Sequence, residues 1–274
     1  MPYLILGGLV VGLSLGLLGS GGSILTVPVL VYLAGHAEKT AIAEALAIVG
    51  IIAAVGCLPY ARAGLVHWRS VVFFGGPGMI GTWLGAVVSR FVPGSLQLVM
   101  FGVVILVASW RMFRGRIPDL PADTTSRSAL KIIPEGLLLG ILTGFVGVGG
   151  GFLIVPALVL MGKLPMRQAI GTSLVVIALN AITGFLKHLD ILSGLGLGVD
   201  WPTIGVFAVV GMAGSLAGHR IGGSLNQRQL RTGFASVLVV MGLLILVHEA
   251  PQVWRHQTAH AQLLPDPSLP RGNR

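Results

Sequence analysis

The chain has 274 residues, of which 54% are hydrophobic and only 10% are charged, whereas an ordinary soluble domain has about 25% charged residues. This composition excludes a soluble globular enzyme and a disordered chain, and the single cysteine, Cys57, excludes an internal disulfide framework. The net charge of +9 does not indicate nucleic-acid binding, because the basic residues lie between apolar segments and in the tail. The composition therefore predicts an all-α, polytopic helical membrane protein.

The apolar residues fall into successive segments, at 3–34, 40–58, 70–92, 95–112, 132–162, 168–186, 203–224 and 232–248. They predict two transmembrane repeats, 1–112 and 132–248, joined by a polar linker at 113–131. A polar tail at 249–274 follows, and its proline content predicts disorder. The N-terminal stretch has no basic residue ahead of its apolar run, so we expect mature structure and not a signal peptide.

The two halves resemble each other at an offset of 128 residues. GLLGSGGSILTVPVLV at 16–31 aligns with GFVGVGGGFLIVPALV at 144–159. Over the longer stretches 8–31 and 136–159, twelve of 24 aligned positions are identical. Internal duplication of this kind is typical of secondary transporters.

A second alignment, at an offset of 133, matches the later helices of the two halves. It pairs Trp68 with Trp201, and a G-x-x-G-x-x-x-G pattern at 78–85 with the same pattern at 211–218. The tryptophans are typical of a membrane–water interface. The glycine pattern predicts close helix contacts, either within the subunit or across a homodimer.

The first and fifth segments are too long to be single spans. About 20 residues cross a bilayer, whereas residues 3–34 would form a helix of about 48 Å. Glycine-rich breaks at 19–23 and 147–151 indicate either re-entrant hairpins of two half-helices or two offset pieces of one span. The hairpins give the stronger Lys and Arg bias between the two faces. They make the repeats inverted and place the linker in the cytoplasm with both termini outside.

The duplicated breaks resemble those of a known family. Two GxGG motifs that each precede V-P, A-I-G-T-S-L at 169–174, and the Trp-led glycine-rich segments are similar to the sulfite exporter TauE/SafE family of membrane permeases. The likeness covers roughly residues 4–247. It implies transport of a small anion, often sulfur-containing, such as sulfite, a sulfonate or sulfoacetate, or of an organic acid. It also implies a multi-pass protein of the cell (inner) membrane.

The breaks themselves predict the anion site. Every Lys and Arg lies at a segment edge or in a loop, so no buried cation is available at the midplane. A glycine break followed by a helix start exposes backbone N–H donors and the positive end of a helix dipole. We therefore expect the two breaks to face each other near the middle of the bilayer and to bind the substrate, unless the glycines only permit close packing. The residues concerned are Gly19, Ser20, Gly21, Gly22, Gly147, Gly149, Gly150 and Gly151.

Three polar residues of the sixth segment are further substrate-binding candidates. Thr172 and Ser173 match the Thr-Ser position of the family, and their hydroxyls could donate to an oxyanion. Equally, such hydroxyls commonly form hydrogen bonds across a helix interface, worth about 0.6 kcal/mol. Asn180, in the middle of the segment, either forms an interhelical hydrogen bond or contacts substrate.

The first half departs from this pattern, because Glu44 and Ala45 stand where the second half has Thr-Ser. Glu44 lies several residues inside an apolar segment, where a carboxylate is costly. We expect it to take up protons and to couple transport to the proton gradient, unless it reaches water or pairs with Lys39. Arg62 and Lys187, in equivalent connections, either steer anions to a mouth or anchor the topology.

The sequence thus predicts a proton-coupled permease for a small anion that works by alternating access, in contact with lipid and without cofactor, metal or nucleic acid. A passive anion channel is one alternative. An intramembrane enzyme is another, with Ser20 as nucleophile and His188 or His219 as base, although no spacing requires it.

Overall fold

The structure is a computed structural model. It describes residues 2–19, 21–114, 129–146, 151–160, 162, 164–226, 228–229, 232–233, 235–236, 238–240 and 242–248. These residues are almost entirely helical and form no β-strand, so the predicted all-α class is confirmed. Ser20, Gly147, Gly149 and Gly150, most of the linker and the whole tail lie outside the described residues.

The helices follow the predicted apolar segments closely. They are α1 (Pro2–Leu18), α2 (Gly21–Pro28), α3 (Glu38–Arg62), α4 (Trp68–Ser70), α5 (Gly76–Ser89), α6 (Gly94–Arg114), α7 (Ala129–Val146), α8 (Gly151–Leu160), α9 (Met166–Gly194), α10 (Trp201–Ser224) and a last helix, Leu238–His248. One π-helical turn, Val29–Leu33, continues α2, and another, Val71–Gly75, joins α4 to α5. In the described part of the chain, α3, α4–α5, α9 and α10 are long and apolar enough to cross a membrane.

The first apolar segment is broken where its glycines predict. Gly19, between α1 and α2, has a φ of +75°, which residues with a side chain rarely adopt. The two helices then pack antiparallel: a Cβ on Gly7 would lie 2.8 Å from Val29 Cγ1, and one on Gly22 would lie 2.9 Å from Leu15 Cβ. The segment is therefore a helical hairpin rather than two offset pieces of one span.

Helices α3 and α9 form the centre of the molecule and run antiparallel. A Cβ on Gly50 of α3 would lie 3.1 Å from Ala181 Cβ, and one on Gly184 would lie 3.3 Å from Leu46. Their inward residues are buried, as expected for helices that are apolar on all sides. Because the two helices run in opposite directions, residues at the same repeat position lie at opposite ends of the pair.

The glycine pattern of each half packs against the first helix of the other half. Gly211 and Ser215 of α10 lie backbone to backbone against Gly12 and Gly16 of α1. In the same way, α5 lies against α7 through an equivalent set of residues, Gly78, Thr82, Gly140 and Gly144. The predicted close contacts are thus made within the subunit, and a homodimer stays a prediction.

The alternating helix directions divide the basic residues unequally between the two ends of the bundle. The end that holds the start of α9, hereafter the Arg167 end, carries more cations than the opposite Lys39 end. Among the residues whose side chains the structure describes, the cations of the Arg167 end are Arg62, Arg69, Arg114, Arg167, Arg220 and Arg228, and those of the Lys39 end are Lys39, Arg90 and Lys187.

Candidate functional site

The first glycine break lies at the Arg167 end of the central helix pair. Ser173 Oγ donates to the carbonyl oxygen of Gly19 at 3.2 Å, and a Cβ on Gly19 would lie 2.8 Å from Ile170 Cα. Tyr60, near the end of α3, donates its hydroxyl to Gly16 O at 2.9 Å. The structure therefore brings two predicted site residues, Gly19 and Ser173, into contact.

The helix that precedes the second break, α7, ends at the other end of the pair. Gly144, near the end of α7, lies with its carbonyl oxygen 3.2 Å from His188 Nε2. Both Tyr60 and His188 lie near the C-terminal ends of their antiparallel helices, about 25 Å apart along the bundle. We predicted that the two breaks face each other near the midplane. The described residues that flank them lie at opposite ends of the bundle, so for those residues the prediction is wrong. Antiparallel packing of α3 and α9 is the reason.

Two small cavities lie at the two ends of the central pair, and the first break borders one of them through the contact of Gly19 with Ile170. We call these cavities the Arg167 mouth, of about 30 Å³, and the Lys39 mouth, of about 10 Å³. The Arg167 mouth is lined by Leu17, Tyr60, Leu65, Arg167, Ile170, His219, Gly222 and Gly223. The Lys39 mouth is lined by Lys39, Ile42, Ser89, Gln97, His188, Ile191 and Leu192.

Four lining positions of one mouth recur in the other at the repeat offsets. Tyr60 and Ile170 of the Arg167 mouth align with His188 and Ile42 of the Lys39 mouth. Ile42 and Tyr60 are 18 residues apart on α3, which is about 27 Å of helix. The molecule thus has two equivalent cavities, one at each end of its central helix pair.

The cation of each mouth is held in the same way. Lys39 Nζ donates to Arg90 O at 3.2 Å, at the end of α5, and Arg167 Nη2 donates to Gly223 O at 2.5 Å, at the end of α10. Both therefore cap helix C-termini, where a cation is favoured. Sequence reasoning missed these two residues, although the offset of 128 that aligns the breaks also aligns Lys39 with Arg167.

Glu44 is fully buried and has two partners at the Lys39 end. Its Oε2 lies 2.5 Å from His36 Nδ1, and its Oε1 accepts a hydrogen bond from the backbone N–H of Asp200 at 2.8 Å. Both expected alternatives for this residue are wrong: its carboxylate does not reach water, and Lys39 bonds to Arg90 O instead.

The residue that aligns with Glu44 makes an equivalent bond at the other end. Thr172 Oγ1 accepts from the backbone N–H of His67 at 2.9 Å. His67 and Asp200 both precede the tryptophan that begins the next helix, and they align at the offset of 133. Each loop is thus tied to the central pair by one side-chain acceptor, a carboxylate at the Lys39 end and a hydroxyl at the Arg167 end.

A groove of about 730 Å³ opens beside Glu44 at the Lys39 end. Its lining includes Tyr32, His36, Lys39 and His248. His36 is only partly buried, so it connects the groove to a carboxylate that solvent does not reach directly.

The remaining candidate residues lie away from the mouths. Arg62 is exposed at the end of α3, and Lys187 forms an ion pair with Asp190 at 2.5 Å. Asn180, 1% exposed at mid-membrane depth on α9, lies against Gly78, and its Oδ1 has no hydrogen-bond partner in the described part of the chain. The expected role of Asn180 as an interhelical hydrogen-bond donor or a substrate contact stays a prediction.

Several glycines of the first hairpin serve packing. A side chain on Gly22 would collide with the Val11 carbonyl oxygen of α1, and Thr26 Oγ1 donates to Gly22 O at 2.9 Å. A leucine at Gly22 would therefore disturb the hairpin itself, whatever the residue does for substrate.

Comparison with known proteins agrees with this architecture. The sequence model of the family described as "Sulfite exporter TauE/SafE" matches residues 4–245. A probable membrane transporter protein of Xylella fastidiosa (strain Temecula1) is 33% identical over 91% of this chain and 93% of its own length. One of Methanocaldococcus jannaschii is 26% identical over 90% and 96%, and YunE of Bacillus subtilis is 27% identical over 88% and 92%. No solved structure matches the chain.

Proposed function

The chain belongs to the sulfite exporter TauE/SafE family, and from that premise we propose that this membrane transporter carries a small anion by alternating access between its two mouths. The observation that supports the mechanism is the pair of equivalent small cavities, each with one cation, at opposite ends of α3 and α9. Between them, Gly50 and Ala181 lie in contact. A packed centre with two outer sites suits a transporter better than an open channel.

The proposed substrate is sulfite, a sulfonate such as sulfoacetate, or an organic acid. In this proposal each break binds the anion at its own mouth. Gly19, Gly21 and Gly22 act at the Arg167 mouth, and the second break acts at the Lys39 mouth. Backbone N–H groups at the start of α2 and α8 then add to the single cation. Arg62 and Lys187 act at the ends of the bundle as steering charges.

Proton coupling through Glu44 is part of the same proposal. His36 and Asp200 contact Glu44, and His36 links the carboxylate to the large groove. The other titratable groups of the described residues at that end of the bundle are Glu38, Lys39, Arg90, Lys187, His188, Asp190 and His248. Neutralising Glu44 weakens its Oε1 as an acceptor for Asp200 N–H, which loosens the loop before α10. Because Thr172 makes the equivalent bond with a hydroxyl, the loop at the Arg167 end is not released by protonation of its acceptor.

We further propose that the two halves are inverted repeats in the cell (inner) membrane, with the Arg167 end in the cytoplasm. The antiparallel α3 and α9 support the inversion. The excess of cations at the Arg167 end supports the orientation, since Lys and Arg concentrate in cytoplasmic loops.

Sulfite flux into sealed liposomes that contain the purified chain tests the transport proposal. We expect uptake that saturates with sulfite concentration and increases with an imposed pH gradient. Uptake that follows membrane potential without saturation would indicate a channel, and product formation without flux would indicate an enzyme.

Sided vesicles test the two mouths separately. We expect Arg167→Gln to raise the KM about tenfold only for sulfite offered at the Arg167 end, and Lys39→Gln to do so only at the opposite end. The reason is that a hydrogen bond to a charged group contributes about 1.5–3 kcal/mol, and about 1.4 kcal/mol is tenfold in affinity. Equal effects of each variant from both sides would contradict two separate mouths.

A further inference from the structure

The two mouths differ in the chemistry of their polar groups. The Arg167 mouth has a guanidinium and the imidazole of His219, whereas the Lys39 mouth has an ammonium and the amide of Gln97. Gln97 donates from Nε2 to Ser89 O at 2.7 Å, and its buried Oε1, a hydrogen-bond acceptor, has no partner among the described residues. An unpaired acceptor repels an oxyanion, so the Lys39 mouth is the weaker oxyanion site.

Arg167 has N–H donors in its mouth that are not used in hydrogen bonds to the described residues. Its Nη2 donates to Gly223 O and, at 3.3 Å, to Leu225 O. These two bonds hold the side chain in place through Nη2 alone. A guanidinium carries five N–H donors in a planar fork, and in the described part of the chain the Nη1 and Nε donors make no hydrogen bond. They match two oxygens of one anion.

His219 supplies a second unused group in the same cavity. Its Nδ1 is buried and has no hydrogen-bond partner among the described residues. The ring is held in place by an edge contact with Tyr60, with 4.4 Å between ring centroids. Leaving such a nitrogen unpaired costs about 1–3 kcal/mol, a cost that a bound oxyanion accepting from Nδ1–H removes.

We infer that Arg167 and His219 form an oxyanion-binding site at the Arg167 mouth, selective for anions with two adjacent oxygens over spherical anions. Carboxylates, sulfonates and sulfite fit the guanidinium fork, whereas chloride cannot use both of its arms. This inference rests on the proposed transport function. It adds that the anion enters the transporter at the Arg167 end. The cavity of about 30 Å³ has room for about two water molecules, so the mouth widens to admit the anion.

Binding by the full chain in detergent tests this inference. Thermal stabilisation by methanesulfonate, acetate, sulfite and chloride gives the affinity of each probe, because a ligand that binds only the folded state raises the Tm. For wild type we expect oxyanions to bind at least tenfold more tightly than chloride. Arg167→Lys keeps the charge but loses the fork, so we expect it to remove most of that preference.

Two further variants separate binding from folding. His219→Phe keeps the ring contact with Tyr60 and is expected to weaken methanesulfonate binding about fivefold. Arg220→Lys makes the same change at the adjacent, exposed position outside the cavity and should bind every probe as wild type does. Unchanged oxyanion preference in both Arg167→Lys and His219→Phe would overturn the site.

Flux measured on the same preparations keeps the two proposals distinguishable. Wild type that binds oxyanions selectively but shows no flux would contradict the transporter and leave the site standing. Wild type that transports while the variants keep the oxyanion preference would contradict the site and leave the transporter standing.

Discussion

At the scale of single residues, Glu44 and Thr172 show how one substitution between repeats changes what a position does. Both accept a backbone N–H from the loop that precedes the next helix, at 2.8 and 2.9 Å. A hydroxyl acceptor carries no charge, whereas a carboxylate acceptor can carry one. The sequence identified Glu44 as unusual, but it did not predict its partners: His36 lies eight residues away, before α3, and Asp200 lies 156 residues away.

Glu44→Gln tests proton coupling. The amide keeps an acceptor for Asp200 N–H in nearly the same volume but cannot bind a proton, so we expect a pH gradient to stop stimulating sulfite flux. Asp190→Asn, the same change at an exposed carboxyl at the same end, should leave that stimulation intact. Full pH-gradient stimulation in Glu44→Gln liposomes would remove Glu44 from the coupling mechanism.

At the scale of helices, glycine determines how closely the two halves approach. A side chain on Gly12 would collide with the backbone of Gly211, whereas one on Gly205, also in α10, meets open space. The sequence predicted close contacts from the glycine pattern alone, because only small residues let helix backbones touch in a membrane. It did not predict that each pattern contacts the first helix of the other half.

Gly12→Leu and Gly205→Leu compare these two environments. We expect Gly12→Leu to destabilise the folded chain by more than about 3 kcal/mol, because overpacking against backbone cannot be relieved by a rotamer change. Gly205→Leu should have a small effect. Thermal unfolding of the purified variants in detergent measures both, and similar Tm values for the two would show that the α1–α10 contact tolerates a side chain.

At the scale of the whole molecule, the antiparallel central pair converts a repeated sequence into two oppositely placed mouths. It also places Ala63, after α3, and Ser193, near the end of α9, at opposite ends of the bundle. Both residues are exposed, and Cys57, the single cysteine of the chain, can be replaced by serine to give a cysteine-free background.

Cysteine labelling in intact cells tests the orientation. In a Cys57→Ser background, Ser193→Cys should react with a membrane-impermeant maleimide from outside, whereas Ala63→Cys should react only after the membrane is permeabilised. We expect this because the Arg167 end holds the excess of cations. The reverse labelling pattern would invert the proposed orientation, and labelling of both residues from outside would contradict placing the two loops at opposite ends.

The sequence by itself determined the properties that depend on composition and local backbone freedom. Apolar content requires a membrane, excess segment length requires breaks, and glycine at 19 permits the positive φ that ends α1. Only the tertiary structure decided how far apart in space the residues that flank the two breaks lie. It also decided which residues surround Glu44 and that Lys39 and Arg167 line the mouths. The physical reason is that a linear repeat fixes which residues are equivalent but not the direction in which the second copy runs. Antiparallel packing of α3 and α9 sets that direction, and it separates sites that the sequence placed together.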